Sequence, residues 1–199
     1  DAGWIDEILA RGARHELVAR TLDLASGAVE GQPAARGERF SFDGQRMRTL
    51  FGPRWRLVVI GAGQLSRVVA SMALALDFEV LCCDPREEYH VTWDVPGTGF
   101  SREMPDDLVH RLQLDAHSAL VALTHDPKLD DLALMEGLKS AAFYVGALGS
   151  RANTARRKER LAMFDLSPDE IARLHGPVGL DLGGRTPAEI DVAIVAEIV

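Results

Sequence analysis

Cysteine is almost missing from this chain: there are two residues, adjacent at Cys82 and Cys83. Neighbours on an extended strand point to opposite faces, so no disulfide between them is expected, and no Cys/His cluster with zinc-ligand spacing exists. That usage suits a reducing compartment, and a cytoplasmic location is the expectation. The chain begins at Asp1 rather than methionine, so the lack of a leader carries little weight. Long apolar runs are also lacking. The longest are strand-length and interrupted by charge, which excludes a helical membrane span. Basic charge is short, with 22 Lys and Arg against 30 Asp and Glu and a net charge of −8. A phosphate backbone needs a basic face, so nucleic acid is excluded as the main partner. Repeats and low-complexity segments are absent.

What is present is enough apolar residue, 47% of 199, to bury a proper core. Residues 1 to 52 have their own texture: a short helix from Trp4 to about Arg11, a strand-like run "HELVARTLDL", then the turn-rich "SGAVEGQPAARGE". Two short strand candidates, "RFSF" and "RMRTLF", flank Asp43-Gly44, a strong hairpin dipeptide. From residue 53 onward strands alternate with helices. Strands are predicted at Arg56–Ile60, Glu79–Cys83, Ala119–Thr124 and Ala142–Val145. Helices are predicted after Gly63, at Pro105–Leu112, Leu129–Leu138 and Asn153–Phe164, and behind the capping boxes that start at Ser167 and Thr186. The pattern predicts a doubly wound, Rossmann-like parallel α/β domain over 53–199, preceded by a small β-rich appendage over 1–52.

The stretch "VVIGAGQLSRVV" reads strand, glycine turn, helix. Gly61 allows the tight turn, Gly63 lets backbone approach a pyrophosphate, and the helix opening at Gln64 points its amides at the anion. The third glycine slot holds Ser66, small enough for helix–strand packing and bearing a hydroxyl for a phosphate or a cap. After the next strand stands Asp84, placed to accept from a ribose diol.

Ligands of open parallel sheets sit at the carboxyl ends of the strands. There this chain places Arg86 in "CCDPREE", His125 and Asp126 in "THDPKLDD", and Gly149, Ser150 and Arg151 ahead of a basic helix. Ser150 with Arg151 is the candidate for a second anion site, whereas Arg156 to Arg160 reads as a solvated helix face. His125 is expected to contact ligand, with Asp126 either beside it or capping the next helix. Cys82 and Cys83 are expected to pack within their strand, as most free cysteines do, with Cys83 bordering the expected rim. In "GLDLGGRTPAEI", Asp181 and Arg185 flank a glycine turn that leads into a capped helix, and this loop is expected near the crevice.

The segments "VVIGAGQLSRVVA", "CDPREEY", "LVALTHDPKLDDLALMEGLKS", "FYVGALGSRAN" and "LHGPVGLDLGGRTPAEIDVAIVAEIV" together resemble the xanthine dehydrogenase accessory proteins, the XdhC/CoxI family. The resemblance runs from about Phe51 to the C-terminus. The family's N-terminal G-S-x-P-R-like motif is not recognisable in residues 1 to 52. The resemblance implies a chaperone that binds the molybdenum cofactor, as molybdopterin or its cytosine dinucleotide, and protects it while a cysteine desulfurase sulfurates it. The cofactor then passes to an apo-molybdoenzyme of the xanthine dehydrogenase class. A homodimer is the expected assembly. The competing readings are an NAD(P)-dependent oxidoreductase, with Asp84 on the ribose and Arg86 meeting a 2′-phosphate, and a nucleotide-sensing domain. The oxidoreductase lacks an evident Tyr/Lys proton-transfer pair at helical spacing.

Overall fold

The computed structural model describes residues 3–14, 16–35, 38–184 and 186–199. The chain divides into two compact units, 1–54 and 55–199.

The first unit carries helix α1 (Gly3–Ala13) and strands β1 (Val18–Asp23), β2 (Val29–Pro33), β3 (Ser41–Phe42) and β4 (Arg46–Phe51). They form an antiparallel sheet in the order β2-β1-β4-β3. Both tight turns are aspartate-built. Asp23 accepts from the Ala25 and Ser26 amides, and Asp43 accepts from those of Gln45 and Arg46. Gly44 takes φ +96°, as the Asp-Gly dipeptide predicts. Trp4 on α1 packs near Phe51, with Arg20 stacked 4.1 Å over its ring. Strand β2 lies inside the turn-rich segment "SGAVEGQPAARGE", where no strand is predicted. Its residues from Glu30 to Pro33 are exposed on a sheet edge, so no alternation of apolar side chains marks it. His15, which begins the predicted first strand, lies outside the described residues.

The second unit alternates β5 (Arg56–Ile60), α2 (Gln64–Ala75), β6 (Glu79–Cys83), α3 (Glu87–Thr92), β7 (Gly99–Ser101), α4 (Pro105–Leu112), β8 (Ser118–Ala122), α5 (Pro127–Lys139), β9 (Tyr144–Ala147), α6 (Arg151–Leu161), α7 (Pro168–Ala172), β10 (Leu174–His175) and α8 (Pro187–Ile198). All six strands pair in parallel, in the order β10-β9-β8-β5-β6-β7. Counted within this unit, that is the doubly wound order 6-5-4-1-2-3, which reverses direction between β5 and β8. Alternate residues of β5 feed two cores. Val58 and Ile60 join Leu120, Leu134 and Leu161 on one face, while Leu57 and Val59 join Val69, Ile194 and Ile198 on the other. Helix α8 packs beside α2 on that second face.

Both predicted capping boxes are present. Ser167 and Glu170 close the start of α7, and Thr186 and Glu189 the start of α8, each with proline in the first turn. The elements the sequence did not announce, α3, β7 and β10, are only 6, 3 and 2 residues long. Segments that short show no periodicity.

Candidate functional site

The direction reversal between β5 and β8 opens a crevice of about 740 Å³ beyond the strand ends. Gly63, Gln64, Leu65 and Val68 from α2 and its loop form one wall. Arg86 and Tyr89 close a second side, and Leu123, Thr124, His125 and Leu148 a third. Thr186, Pro187, Ala188, Ile190 and Asp191 from the start of α8 complete it. Two twelve-residue helices therefore begin at the same cavity. A helix N-terminus carries roughly half a positive charge, so with Arg86 the polar end of this crevice favours an anion.

The glycine loop is shaped for close approach. Gly61 sits at φ +100°, and a Cβ there would lie 2.8 Å from Thr124 Cα, so only glycine fits. Gly63 is different. It has φ −74°, a Cβ would meet nothing within 4 Å, and as the N-cap of α2 it makes no side-chain cap bond. The first-turn amides of α2 are thus left for a ligand rather than covered by the chain itself.

Asp84 is fully buried and turned inward. Its Oδ2 accepts from the Ala62 amide at 2.9 Å, tying the loop to the end of β6. The Arg86 guanidinium grips the same carboxylate through two bonds of 2.9 and 2.8 Å while stacking over Tyr89. This carboxylate organises the loop and aims Arg86, and does not itself line the crevice. Ser66, also fully buried, is away from the crevice wall, in the place where a third glycine would let helix and strand pack closely.

On the third wall His125 holds φ +63°, an unusual conformation for a residue with a side chain. Its loop is fixed from behind. Asp130 accepts from the Thr124 amide and hydroxyl at 3.2 and 2.7 Å. Arg157, 7% exposed, joins Asp130 at 2.8 Å, Asp131 at 3.1 Å and the Leu148 carbonyl at 3.1 Å. Burial still pushes the Asp130 carboxyl above its ordinary value against the opposing pull of Thr124 and Arg157. The basic run on α6 is therefore not simply a solvated face. Arg157 is a buried brace, and Arg160 adds a 2.7 Å bond to Asp131. Asp126 takes the helix-capping alternative, accepting from the Lys128 amide at 2.9 Å, and is not on the crevice wall.

The remaining candidates are spread over two smaller cavities. Gly149 and His125 line one of about 280 Å³, together with Arg156, Arg157 and Arg160. Arg151 and Asp181 line another of about 340 Å³, where they form an exposed pair at 3.4 Å. Ser150 caps α6 by accepting from the Asn153 amide at 3.1 Å. Arg185 lies outside the described residues. Cys83 does not border the rim: both thiols are fully buried, with Cys83 in the core beside Ile60 and Leu108. Burial holds the Cys83 thiol up at about 12 and pushes that of Cys82 up as well, so neither ionises readily. Among the described residues no group of three or more His, Cys, Asp or Glu is arranged to hold a metal ion, and no helix is long and apolar enough to cross a membrane.

Sequence reading missed Tyr89, Leu148 and Asp191 as lining residues. Asp191 had one available signal, a carboxylate within the otherwise apolar run "IDVAIV".

The strand order, glycine loop and anion-favouring crevice define a Rossmann-type domain. Within that class the chain belongs to the XdhC Rossmann domain family, whose model matches residues 57–198. It is 31% identical over 152 residues to "Uncharacterized protein YqeB" of Escherichia coli K12, covering 75% of this chain and 28% of that protein. It is 30% identical over 148 residues to a probable xanthine dehydrogenase subunit of Bacillus subtilis 168, covering 74% and 43%. Identity is 24% over 148 residues to "Molybdenum cofactor insertion chaperone PaoD" of E. coli K12, covering 74% and 40%. The chain thus spans less than half the length of these relatives. A crystal structure described as a xanthine dehydrogenase from Bacillus halodurans has the same fold, with a TM-score of 0.71 at 21% identity over 98% of this chain and 62% of that one.

Proposed function

We propose that this chain is the cofactor-holding part of a maturation factor for molybdoenzymes of the xanthine dehydrogenase class. Its cargo is the molybdenum cofactor, a phosphate-bearing pterin, as molybdopterin or its cytosine dinucleotide. The observation that carries this reading is the convergence of two helix N-termini and Arg86 on one crevice in an XdhC-family domain. The relative named as a molybdenum cofactor insertion chaperone supports the choice of cargo. The residues present fit such a group. Gly63 leaves room for a phosphate and leaves the α2 amides uncapped, while the apolar walls at Val68, Leu123, Leu148 and Ile190 suit a flat ring.

In this reading Gly63, Gln64 and the uncapped first turn of α2 hold the phosphate, Arg86 adds charge, the start of α8 walls the opposite side, and His125 and Thr124 form the far lip. Gly61 and Asp84 act from behind by shaping the loop. The small cavities at Gly149 and at Arg151–Asp181 serve as secondary anion contacts, or as part of the face shown to the recipient enzyme. The domain shelters its cargo during sulfuration by a cysteine desulfurase and then releases it, so its role is accessory and no catalytic residue is assigned. Activation of an apo-molybdoenzyme by the cofactor-loaded chain is the test. Gly63→Val is expected to abolish activation with little change in melting temperature, and undiminished activation would reject the assignment. Co-purified NAD(H) in place of pterin would favour the oxidoreductase or sensing alternatives.

A further inference from the structure

Helix α8 is apolar where it packs: Ala193, Ile194, Val195 and Ile198 are all buried. Asp191 stands among them at 2% exposure, and its Oδ1 is buried with no hydrogen-bond partner. Folded proteins leave few such atoms, and each calls for an explanation, a ligand among them; of those among the described residues, only that of Asp191 belongs to the crevice wall. Asp191 is also part of the crevice wall, in company with Leu65, Val68, Leu123, Leu148 and Ile190. The crevice therefore has two recognition poles, an anion-favouring one at the helix starts and a single carboxyl in an apolar slot. Asp191 is five residues past the Thr186 cap. At 1.5 Å per residue this sets it about 7.5 Å down the helix axis, within reach of a ring linked to a phosphate.

We infer that Asp191 is a ligand-contacting residue whose carboxylate takes the two adjacent N–H donors of a 2-amino-4-oxopyrimidine ring on a phosphate-bearing ligand. An ionised carboxylate only accepts hydrogen bonds, so its best partner is a fork of two parallel donors. A 2-amino-4-oxopyrimidine offers that fork, a ring N–H beside an exocyclic amino group. Cytosine, uracil and adenine each set an acceptor beside the donor, bringing a lone pair against one carboxylate oxygen. Guanine nucleotides and pterins share the edge. Burial pushes the Asp191 carboxyl up to about 6, so it is still ionised at pH 8, where its buried Oδ1 lacks a hydrogen-bond partner. The inference rests on the phosphate-binding reading of the crevice and adds to it the residue that reads the ring.

The test is calorimetric titration of the full chain at pH 8 with inorganic diphosphate, GDP, IDP and 6-hydroxymethylpterin diphosphate. IDP differs from GDP only by lacking the 2-amino group. Wild type is expected to bind GDP about tenfold more tightly than IDP, the value of one further hydrogen bond of about 1.4 kcal/mol. In Asp191→Asn and Asp191→Leu the GDP-to-IDP ratio falls to about one. Tighter binding of the pterin diphosphate than of GDP assigns the edge to a pterin, and the reverse order assigns it to a guanine nucleotide. Equal binding of GDP and IDP by wild type, or a preference that survives in both variants, overturns the role of Asp191 while leaving the phosphate site standing. If diphosphate itself does not bind, the phosphate reading fails and this inference falls with it.

Discussion

Replacing Asp191 with asparagine should change how stability depends on pH, by an amount that follows from its environment. The carboxyl titrates at about 6 in the folded chain against an ordinary value of 3.8, because burial opposes its charge and no partner offsets the cost. An acid whose folded pKa is raised binds its proton more tightly folded than unfolded. The stability this contributes is complete below 3.8 and is lost as pH rises from 3.8 to about 6. The gap of about 2.2 corresponds to about 3 kcal/mol at 1.36 kcal/mol per unit. Asparagine keeps the shape and does not titrate. Its buried amide shifts stability by a constant, so the pH-dependent part of the difference is the diagnostic. The other charged and titratable groups on the crevice wall, Arg86, Tyr89 and His125, are common to both proteins and cancel. Urea unfolding of wild type and Asp191→Asn at intervals from pH 4 to pH 8 is the assay. The variant should gain on wild type by about 2.4 kcal/mol between those limits, since the unfolded carboxyl is already partly ionised at pH 4, with nearly all of the gain reached by about pH 6.5. A difference that stays flat across the range would refute the claim that the carboxyl is buried without a partner.

Gly61→Ala should destabilise the chain by roughly 2 kcal/mol or more, since the new Cβ meets the Thr124 backbone at a positive φ; a wild-type melting curve would contradict this. Arg157→Met leaves buried Asp130 without its guanidinium and Asp131 with Arg160 alone, and should cost about 3 to 5 kcal/mol in urea unfolding, against less than 1 for a solvated arginine. Asp84→Ala releases both the Ala62 amide and Arg86, so diphosphate affinity should fall by about tenfold or more in titration; equal affinity would mean the loop holds its shape unaided.

Most of the Rossmann unit was legible because its central strands are largely buried apolar runs and its helices carry caps and periodic faces, as in "RLVVI" and "SPDE". Strand β2 was not, because an exposed edge strand such as "VEGQP" is held by backbone pairing that leaves no mark on side-chain pattern. The glycine loop was found, but the partners of Asp84 were not. A short-range motif cannot tell whether a carboxylate faces a ribose or turns back onto its own loop. Arg157 was misread for a related reason. A cation in "RRKER" looks solvated until the helix docks and sets Arg157 against both Asp130 and Asp131 of α5, with Arg160 beside it on Asp131. Asp191 depended on helix rotation, because only once α8 is packed does its carboxyl prove to be buried at the crevice instead of in water.

The most direct measurement of the central claim is cofactor retention. The chain and its Gly63→Val variant would be isolated from cells that make molybdenum cofactor, then assayed for bound molybdenum and for pterin fluorescence after oxidation. Wild type should carry both in equal amounts, and the variant, melting at nearly the same temperature, should carry neither. Equal loading of the two proteins, or a wild type devoid of pterin under conditions where the cofactor is abundant, would contradict it.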